Sequence, residues 1–251
     1  MAMFISYSVW GDNKVYTYGL VENVLNNRRL LPQWTTRVHY NDTVPSNILD
    51  WLKAQDDVQL IRHEGSDCKA SNMFWRFEDL FLKNSTVLVR DADSRISVRE
   101  VRLINEWLAS DKDFHIIRDG NTHTVPIIGG AFGCRNNCLE YIHSPTGLRD
   151  VNLPPLQFND GLSFMRAFVA QLPPPRDAYN IDQIFLYHYV YPQVVTRAMI
   201  HCSYNAYEPF AKRIDPVEKG YCVEIQTECP EAAEIFNDTD VSFTRIRQLN
   251  N

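Results

Sequence analysis

No stretch of this chain approaches the ~20 consecutive apolar residues that a membrane-crossing helix needs, although 45% of its 251 residues are hydrophobic. A basic region ahead of an apolar core is missing at the amino terminus as well. The chain runs straight into Met3-Phe4-Ile5, and no secretory signal is predicted. Positive charge is in short supply: 25 Lys and Arg stand against 31 Asp and Glu, a formal net charge of −6. Nucleic acid is therefore disfavoured as a partner, because a phosphate backbone needs a basic surface. Cysteines are few and unordered. Cys134 and Cys138 have no second pair at ligand spacing to complete a metal site, so these two and Cys68, Cys202, Cys222 and Cys229 are expected to be core or surface thiols. Cys202 lies in a strand-like segment, which suits a buried, reduced thiol in a cytosol-like compartment. Repeats, low-complexity tracts and interdomain linkers are absent. The expectation is a soluble, cytoplasmic protein (host cytoplasm if viral) with its oligomeric state open.

The apolar pattern alternates between short β-type runs and helical spacing. Strands are predicted at Met3–Val9, Thr35–Tyr40, Val58–Ile61, Thr86–Val89 and Phe114–Ile117, each too short for a helix. Between them, Leu20, Val21, Val24 and Leu25 mark one helix face, and Ile48, Leu49 and Leu52 mark another behind Pro45. Met73, Phe77, Leu80 and Phe81 predict a helix over 72–82, and Val101, Ile104, Trp107 and Leu108 one more. This strand–helix order predicts a doubly wound, mostly parallel sheet flanked by helices. Beyond residue 120 the regularity ends at Pro126–Gly133, where three glycines permit close backbone approach to a ligand or to a sheet edge. Helices are expected over 162–172 and from Asn180 to just before Pro192, and a late strand over Ala198–Cys202. The length suits one large α/β domain, with a nucleotide-binding half over 1–120, an acceptor or catalytic half over 121–215, and an acidic extension over 216–251 whose role the sequence does not tell.

Thr86-Val87-Leu88-Val89 ends abruptly in Arg90-Asp91-Ala92-Asp93-Ser94-Arg95. Two carboxylates at the carboxyl end of a buried strand sit where open α/β sheets bind ligands, and they can converge on a hard cation. The bland alternative is a helix cap by Asp93 or Ser94. Three further groups fall at strand ends or glycine loops: Ser6 to Asp12, Arg118-Asp119 with the glycine loop, and Asp182-Gln183 with His201. A phosphate-containing ligand on a carboxylate-bound Mg²⁺ or Mn²⁺, balanced by Arg76, would account for this mixture. An imidazole among the ligands would favour Mn²⁺. Each residue also has a bland role: Trp10 and Trp75 as core aromatics, Arg76 as partner of Asp79, Asp182 as a helix cap, and His201 and His115 as core histidines.

Taken together these residues resemble the GT-A fold glycosyltransferases, closest to a group of small enzymes of bacteria and large algal viruses that includes the chlorovirus glycan-building transferases. The matching segments are Ser8–Asn13 with Tyr16–Gly19, Met73–Phe77, Arg90–Arg95 with Arg99-Glu100, Glu106–Leu108, Phe114–Asp119, His123, Ile128–Gly130, Asp182-Gln183 and His201. They run in order over roughly residues 4 to 205. The resemblance implies a Rossmann-like nucleotide-sugar-binding fold with Asp91-Ala92-Asp93 as its D-x-D motif. Asp93 would be the firmer ligand to Mn²⁺ or Mg²⁺, and Asp91 would face metal or ribose. The turn Tyr7–Asp12, with Trp10, would bind the base, and Arg76 the ribose or diphosphate. Gly129 and Gly130 would border the donor, and His201 would complete the metal site. The sequence departs from the pattern at Cys202, where Asp typically follows the His.

The implied reaction moves a monosaccharide from a nucleoside diphosphate sugar, UDP by analogy, to a glycan acceptor hydroxyl. With inversion a carboxylate must deprotonate the acceptor; Asp182 is the first choice for that base and Asp119 the second. With retention no base is needed, and Asp182-Gln183 would contact the sugar. Two competing readings are a domain that binds nucleotide-sugar without turnover, and a phosphatase or phosphomutase with an Asp nucleophile. The second is disfavoured because its D-x-D belongs to a first strand.

Overall fold

The computed structural model describes residues 1–136, 139, 160–171 and 180–243. Strands and helices alternate as β1 (Ala2–Val9), α1 (Lys14–Leu30), β2 (Thr35–Tyr40), α2 (Ser46–Lys53), β3 (Val58–Arg62), a 3₁₀ helix (Ala70–Phe81), β4 (Ser85–Arg90), α3 (Val98–Leu108) and β5 (Phe114–Arg118). Then come β6 (Ala131–Arg135), α4 (Gly161–Gln171), α5 (Ile181–Phe185), a π-helical turn (Leu186–Val190), α6 (Tyr191–Val194), β7 (Ala198–Cys202), β8 (Lys212–Arg213) and α7 (Pro230–Ile235). The expected α/β class is what forms. One sheet runs in the order β3-β2-β1-β4-β6-β5-β7-β8, and every neighbouring pair is parallel except those that β6 makes with β4 and β5.

Strand alternation divides the core. Ile5, Tyr7, Val9 and Leu88 face α1 and α3, where Leu20, Val24 and Trp107 are buried. Val87 and Val89 face the other way, against Phe77, Phe132, Phe168 and Phe185. No helix among the described residues is long and apolar enough to cross a membrane.

Four local expectations need correction. The reversed strand β6 occupies the glycine stretch that read as irregular, and Gly133 lies in it because a Cβ there would meet the Val87 carbonyl and Trp107 at 3.1 and 3.2 Å. The segment over 72–82 is a 3₁₀ helix rather than an α-helix. Ser8 Oγ accepts from the Arg76 amide at 2.9 Å and Ser6 Oγ donates to the Arg76 carbonyl at 2.9 Å, so β1 takes two backbone groups that an α-helix would pair internally. The helix from Asn180 continues through Pro192, which falls in the first turn of α6, after the π-helical turn, where a missing donor is tolerated. Finally, Cys134 is disulfide-bonded, whereas Cys68, Cys202, Cys222 and Cys229 are free thiols, Cys202 buried as expected. Cys138 lies outside the described residues.

The last segment does not hang free. Glu22 Oε1 accepts from the Ala232 amide at 2.9 Å, and the Tyr18 ring packs against Phe236 and Phe243 at 5.3 Å each. Residues 221–226 return to the sheet's carboxyl edge, where the Cys222 amide donates to Asp119 at 3.0 Å and the Gln226 amide to the Asp93 carbonyl at 2.7 Å.

Candidate active site

β1 lies between β2 and β4: the strand order runs outward from β1 through β2 to β3 and resumes at β4 on its other side, the switch point at which open α/β sheets form a crevice. Asp91 begins the loop there, directly after β4. Its base is fixed by a buried ion pair: Arg90 Nε donates to Glu100 Oε1 at 2.5 Å, and its Nη1 donates to the Phe132 carbonyl at 2.9 Å. Burial pushes the Glu100 carboxyl up against the opposing pull of Arg90.

The cap reading of this loop does not hold. Ser97 caps α3, its Oγ accepting from the Glu100 amide at 3.1 Å. The Asp91 carbonyl instead accepts from Ser94 Oγ at 3.2 Å, closing the loop on itself. Ala92 is a core contact rather than a ligand group: it is buried, and its carbonyl accepts from Asn23 Nδ2 at 3.1 Å and Arg95 Nη1 at 3.0 Å. Asp93 is 3% exposed and Asp91 keeps 34% of its side chain exposed.

Arg76 organises the rest. Its guanidinium is buried; Nη1 pairs with Asp91 Oδ1, and Nη2 lies 3.1 Å from Asp182 Oδ2. The bland partner Asp79 is engaged elsewhere, by Arg37, His39 and Ser6. Asp182 is not a cap either: Asn180, at φ 69°, occupies that position. Burial pushes the Asp182 carboxyl up, Arg76 pulls it back, and Asp91 adds to the rise.

Gly129 and Gly130 make this packing possible. A Cβ on Gly129 would stand 2.7 Å from Asp182 Oδ2 and 2.6 Å from the Gln183 amide; on Gly130 it would collide with Asp91 Oδ2. With its oxygen and nitrogen assigned so that both are paired, the Gln183 amide donates to the Ile127 carbonyl at 3.1 Å and accepts from the Gly129 N–H at 2.7 Å. The structure thus joins Arg76, Asp91, Asp182, Gln183, Gly129 and Gly130 in one cluster.

Other expected residues are placed elsewhere. Tyr7 is fully buried, its hydroxyl accepting from Asn27 Nδ2 at 3.2 Å, so it faces α1 and not the crevice. Asp12 is exposed past Gly11, whose φ of 70° turns the chain out of β1. Trp10 reaches the crevice edge, meeting Trp75 edge-to-face at 6.3 Å. Asp119 is clamped by Arg99 at 2.6 and 3.1 Å. Burial alone would raise its pKa, but Arg99, the Cys222 amide and Ser203 outweigh it and hold the carboxyl below its ordinary value.

His201 is not brought to the acidic loop. Its Nδ1 lies 2.9 Å from His115 Nε2 and its Nε2 lies 3.0 Å from Glu106 Oε2, so both ring nitrogens are engaged beneath α3. The core-histidine reading describes it.

Among the described residues no cluster of three or more His, Cys, Asp or Glu is preassembled for a metal. What the loop offers is two carboxylates, one of them beside a cradle that any Cβ at position 130 would fill. Such an all-oxygen set fits a hard cation; with His201 elsewhere, Mg²⁺ suits it as well as Mn²⁺.

Sequence reasoning missed two groups. One is a role for His123, which the sequence marks only by resemblance: its ring is held below its ordinary pKa by burial while Asp119 and Asp91 act against that shift. The other is the set His39, His63 and Asp79. The rule that ligands gather at the carboxyl ends of strands would have singled out His63, which follows β3.

No protein-family model matches the chain, and no curated protein does. Its backbone is similar to those of solved glycosyltransferases. One, involved in the glycosylation of the major capsid of PBCV-1, shares 12% identity at a TM-score of 0.46, over 80% of this chain and 82% of that one. TarS of S. aureus, solved in complex with UDP-GlcNAc, shares 12% at a TM-score of 0.42 over 55% of this chain, which spans 46% of that structure. The Pyrobaculum calidifontis mannosyltransferase in complex with GDP-Man and Mn²⁺ shares 12% at a TM-score of 0.43, over 87% of this chain and 58% of that one.

Proposed function

We propose that this chain is a metal-dependent glycosyltransferase of the GT-A type, moving a monosaccharide from a nucleoside diphosphate sugar to the hydroxyl of a glycan. The observation that carries this reading is the single buried guanidinium of Arg76 between Asp91 and Asp182, roofed by Gly129 and Gly130 at the β1/β4 switch point. Asp91 and Asp93 would hold a divalent cation, which supplies charge stabilisation to the departing diphosphate. Arg76 fixes the Asp91 carboxylate from behind.

Between the two candidate bases the electrostatics favour Asp182. A base raised toward neutral pH accepts a proton more readily than one held low, and Asp182 is raised whereas Asp119 is lowered. Asp182 would take the acceptor hydroxyl proton as the acceptor oxygen bonds to the anomeric carbon. The bond from that carbon to the diphosphate oxygen breaks, and the diphosphate leaves with the electron pair. UDP as the nucleotide follows from the family resemblance alone.

The test is a panel of nucleotide-sugars with Mn²⁺ and Mg²⁺, reading thermal shift and released sugar together. A donor at ~100 times its Kd adds about 2.7 kcal/mol of stability. A shift with sugar release supports a transferase. A shift without release, even with glycan acceptors, would make it a binding domain, and no shift with any nucleoside diphosphate would overturn the reading.

A further inference from the structure

Val223 stands at φ 63°, in the left-handed region that a β-branched residue rarely enters. It is the third residue of a turn in which the Glu224 amide donates to the Tyr221 carbonyl at 3.3 Å, and a positive φ at that point ordinarily calls for glycine or asparagine. A valine persists there only where its surroundings outweigh the strain. Packing does so here. Cys222 and Val223 are buried with Leu103 of α3, Ile117 of β5 and Ala131 of β6, in a small core apart from the two that line the faces of the sheet.

The turn joins two loops that the sheet keeps apart, since β6 lies between β4 and β5. Ahead of Val223, the Cys222 amide donates to Asp119 Oδ2 at 3.0 Å, and the Tyr221 ring covers Gly120, where a Cβ would stand 2.8 Å from it. Behind it, Ile225 forms an antiparallel bridge with Ser94, and the Gln226 amide donates to the Asp93 carbonyl at 2.7 Å. Apart from the tyrosine ring, these contacts use backbone groups of the segment, so both attachments depend on its dihedral angles. Relaxing Val223 to a negative φ would swing one side away from its loop.

We propose that the turn Tyr221–Glu224 is a sprung brace for the acidic loop, and that its closure and the binding of a divalent cation at Asp91 and Asp93 stabilise each other. The proposal rests on the cation site of the donor reading above and adds a control on that site. Ile225 and Gln226 fix the backbone at Ser94 and Asp93, and with it the direction in which the Asp93 carboxylate leaves the loop. A cation that needs two carboxylates to converge binds better when that direction is set beforehand. Linkage is reciprocal: by the factor that closure tightens the cation, the cation holds the turn shut. Strain keeps this balance responsive. An unstrained turn would stay closed whatever is bound, whereas the cost at Val223 brings the open state near enough in free energy for a ligand to shift the population. Val223 touches no ligand in this scheme; it is a positioning residue.

The experiment has two parts, both with Mg²⁺ and inorganic pyrophosphate as the ligand. Hydrogen exchange followed by NMR in the wild type reads the Cys222 and Gln226 amides with and without it, and loading should slow both by roughly fivefold or more, the low end of ordinary couplings between sites. Calorimetric titration then compares the wild type with Val223→Ala and Val223→Gly. Both variants lose the buried isopropyl group, but only glycine takes φ 63° without strain. Val223→Ala should therefore bind roughly fivefold or more weakly than the wild type, and Val223→Gly should recover about two- to fivefold of that loss. A role in packing alone predicts the reverse order, because alanine fills more of the core than glycine. Amide exchange indifferent to a ligand that binds, Val223→Ala binding as tightly as the wild type, or alanine binding more tightly than glycine each overturns the proposal and leaves the donor reading in place. Failure of Mg²⁺ and pyrophosphate to bind the wild type also overturns it, and removes the donor reading as well only when no nucleotide-sugar gives a thermal shift. The wild-type exchange needs no substitution, so a variant that does not fold leaves the test standing.

Discussion

Arg76 Nη2 lies 3.1 Å from Asp182 Oδ2, although 106 positions separate the two in the chain. The same guanidinium holds Asp91. One buried cation thus sets the spacing between the loop assigned to the diphosphate and the carboxylate assigned to the acceptor. Removing it as Arg76→Ala should destabilise the protein by about 3–5 kcal/mol, because a buried carboxylate is left without its counter-charge. Arg76→Lys, a point charge that cannot fork to two carboxylates, should fold but lose most turnover. Denaturant midpoints and transfer rates on both variants check this.

Asp182→Asn should leave the fold and donor affinity near wild type while lowering sugar transfer by about 10²–10⁴-fold, the usual range for a lost general base. Transfer assays beside donor titrations separate the two effects. Turnover near wild type with the donor still bound would remove Asp182 from the chemistry.

Gly130→Ala puts a methyl group against the Asp91 carboxylate. An overpacking strain of about 1–3 kcal/mol should appear as a loss of roughly 5- to 150-fold in affinity for Mn²⁺ with a nucleoside diphosphate. A calorimetric titration at matched stability reads it directly.

Acidification should act through the buried imidazoles. His115 is held well below its ordinary value by burial, with His201 adding to the shift. Below the unfolded value of 6.5 the unfolded chain therefore binds more protons than the native one, and stability is lost as pH falls, by up to about 1.4 kcal/mol per pH unit for a fully buried ring. Glu100 and Asp182, both raised, act in the opposite sense but are common to any pair of proteins differing only at position 115. Urea unfolding at pH 7 and pH 5 should show a smaller loss for His115→Phe, which keeps an aromatic ring against Trp107, than for the wild type.

Truncation after Asp215 should cost both stability and ligand affinity. It removes α7 from the Tyr18 side of α1 and releases the amides that bond Asp119 and Asp93. Thermal melts and Mn²⁺–diphosphate titrations test this; unchanged values for the shortened chain would reduce the segment to an appendage.

Much of this molecule is written in local pattern. The β-branched run Thr86–Val89 formed its strand because a short apolar stretch between polar flanks is too short for a helix and is buried on both faces. Thr35–Tyr40 and Ala198–Cys202 formed with the bounds the sequence implied. The acidic loop after β4 and the two glycines were legible for the same reason: charge at the end of a buried strand, and a missing Cβ, are properties of the residues themselves.

What the sequence could not decide was which way each residue faces and what it meets. His201 and Asp182 both looked like chemical candidates. Register and burial under α3 gave His201 to His115 and Glu106, while the helical stretch from Ile181 carried Asp182 onto Arg76. The 3₁₀ course of 70–81 came from serines on β1, some seventy positions away. The reversed strand β6 came from pairing with β4 and β5 on either side. Composition and periodicity determine elements and strand-end chemistry because those depend on neighbours within a few residues. Partner choice depends on contacts between segments a hundred residues apart, and only the assembled sheet decides it.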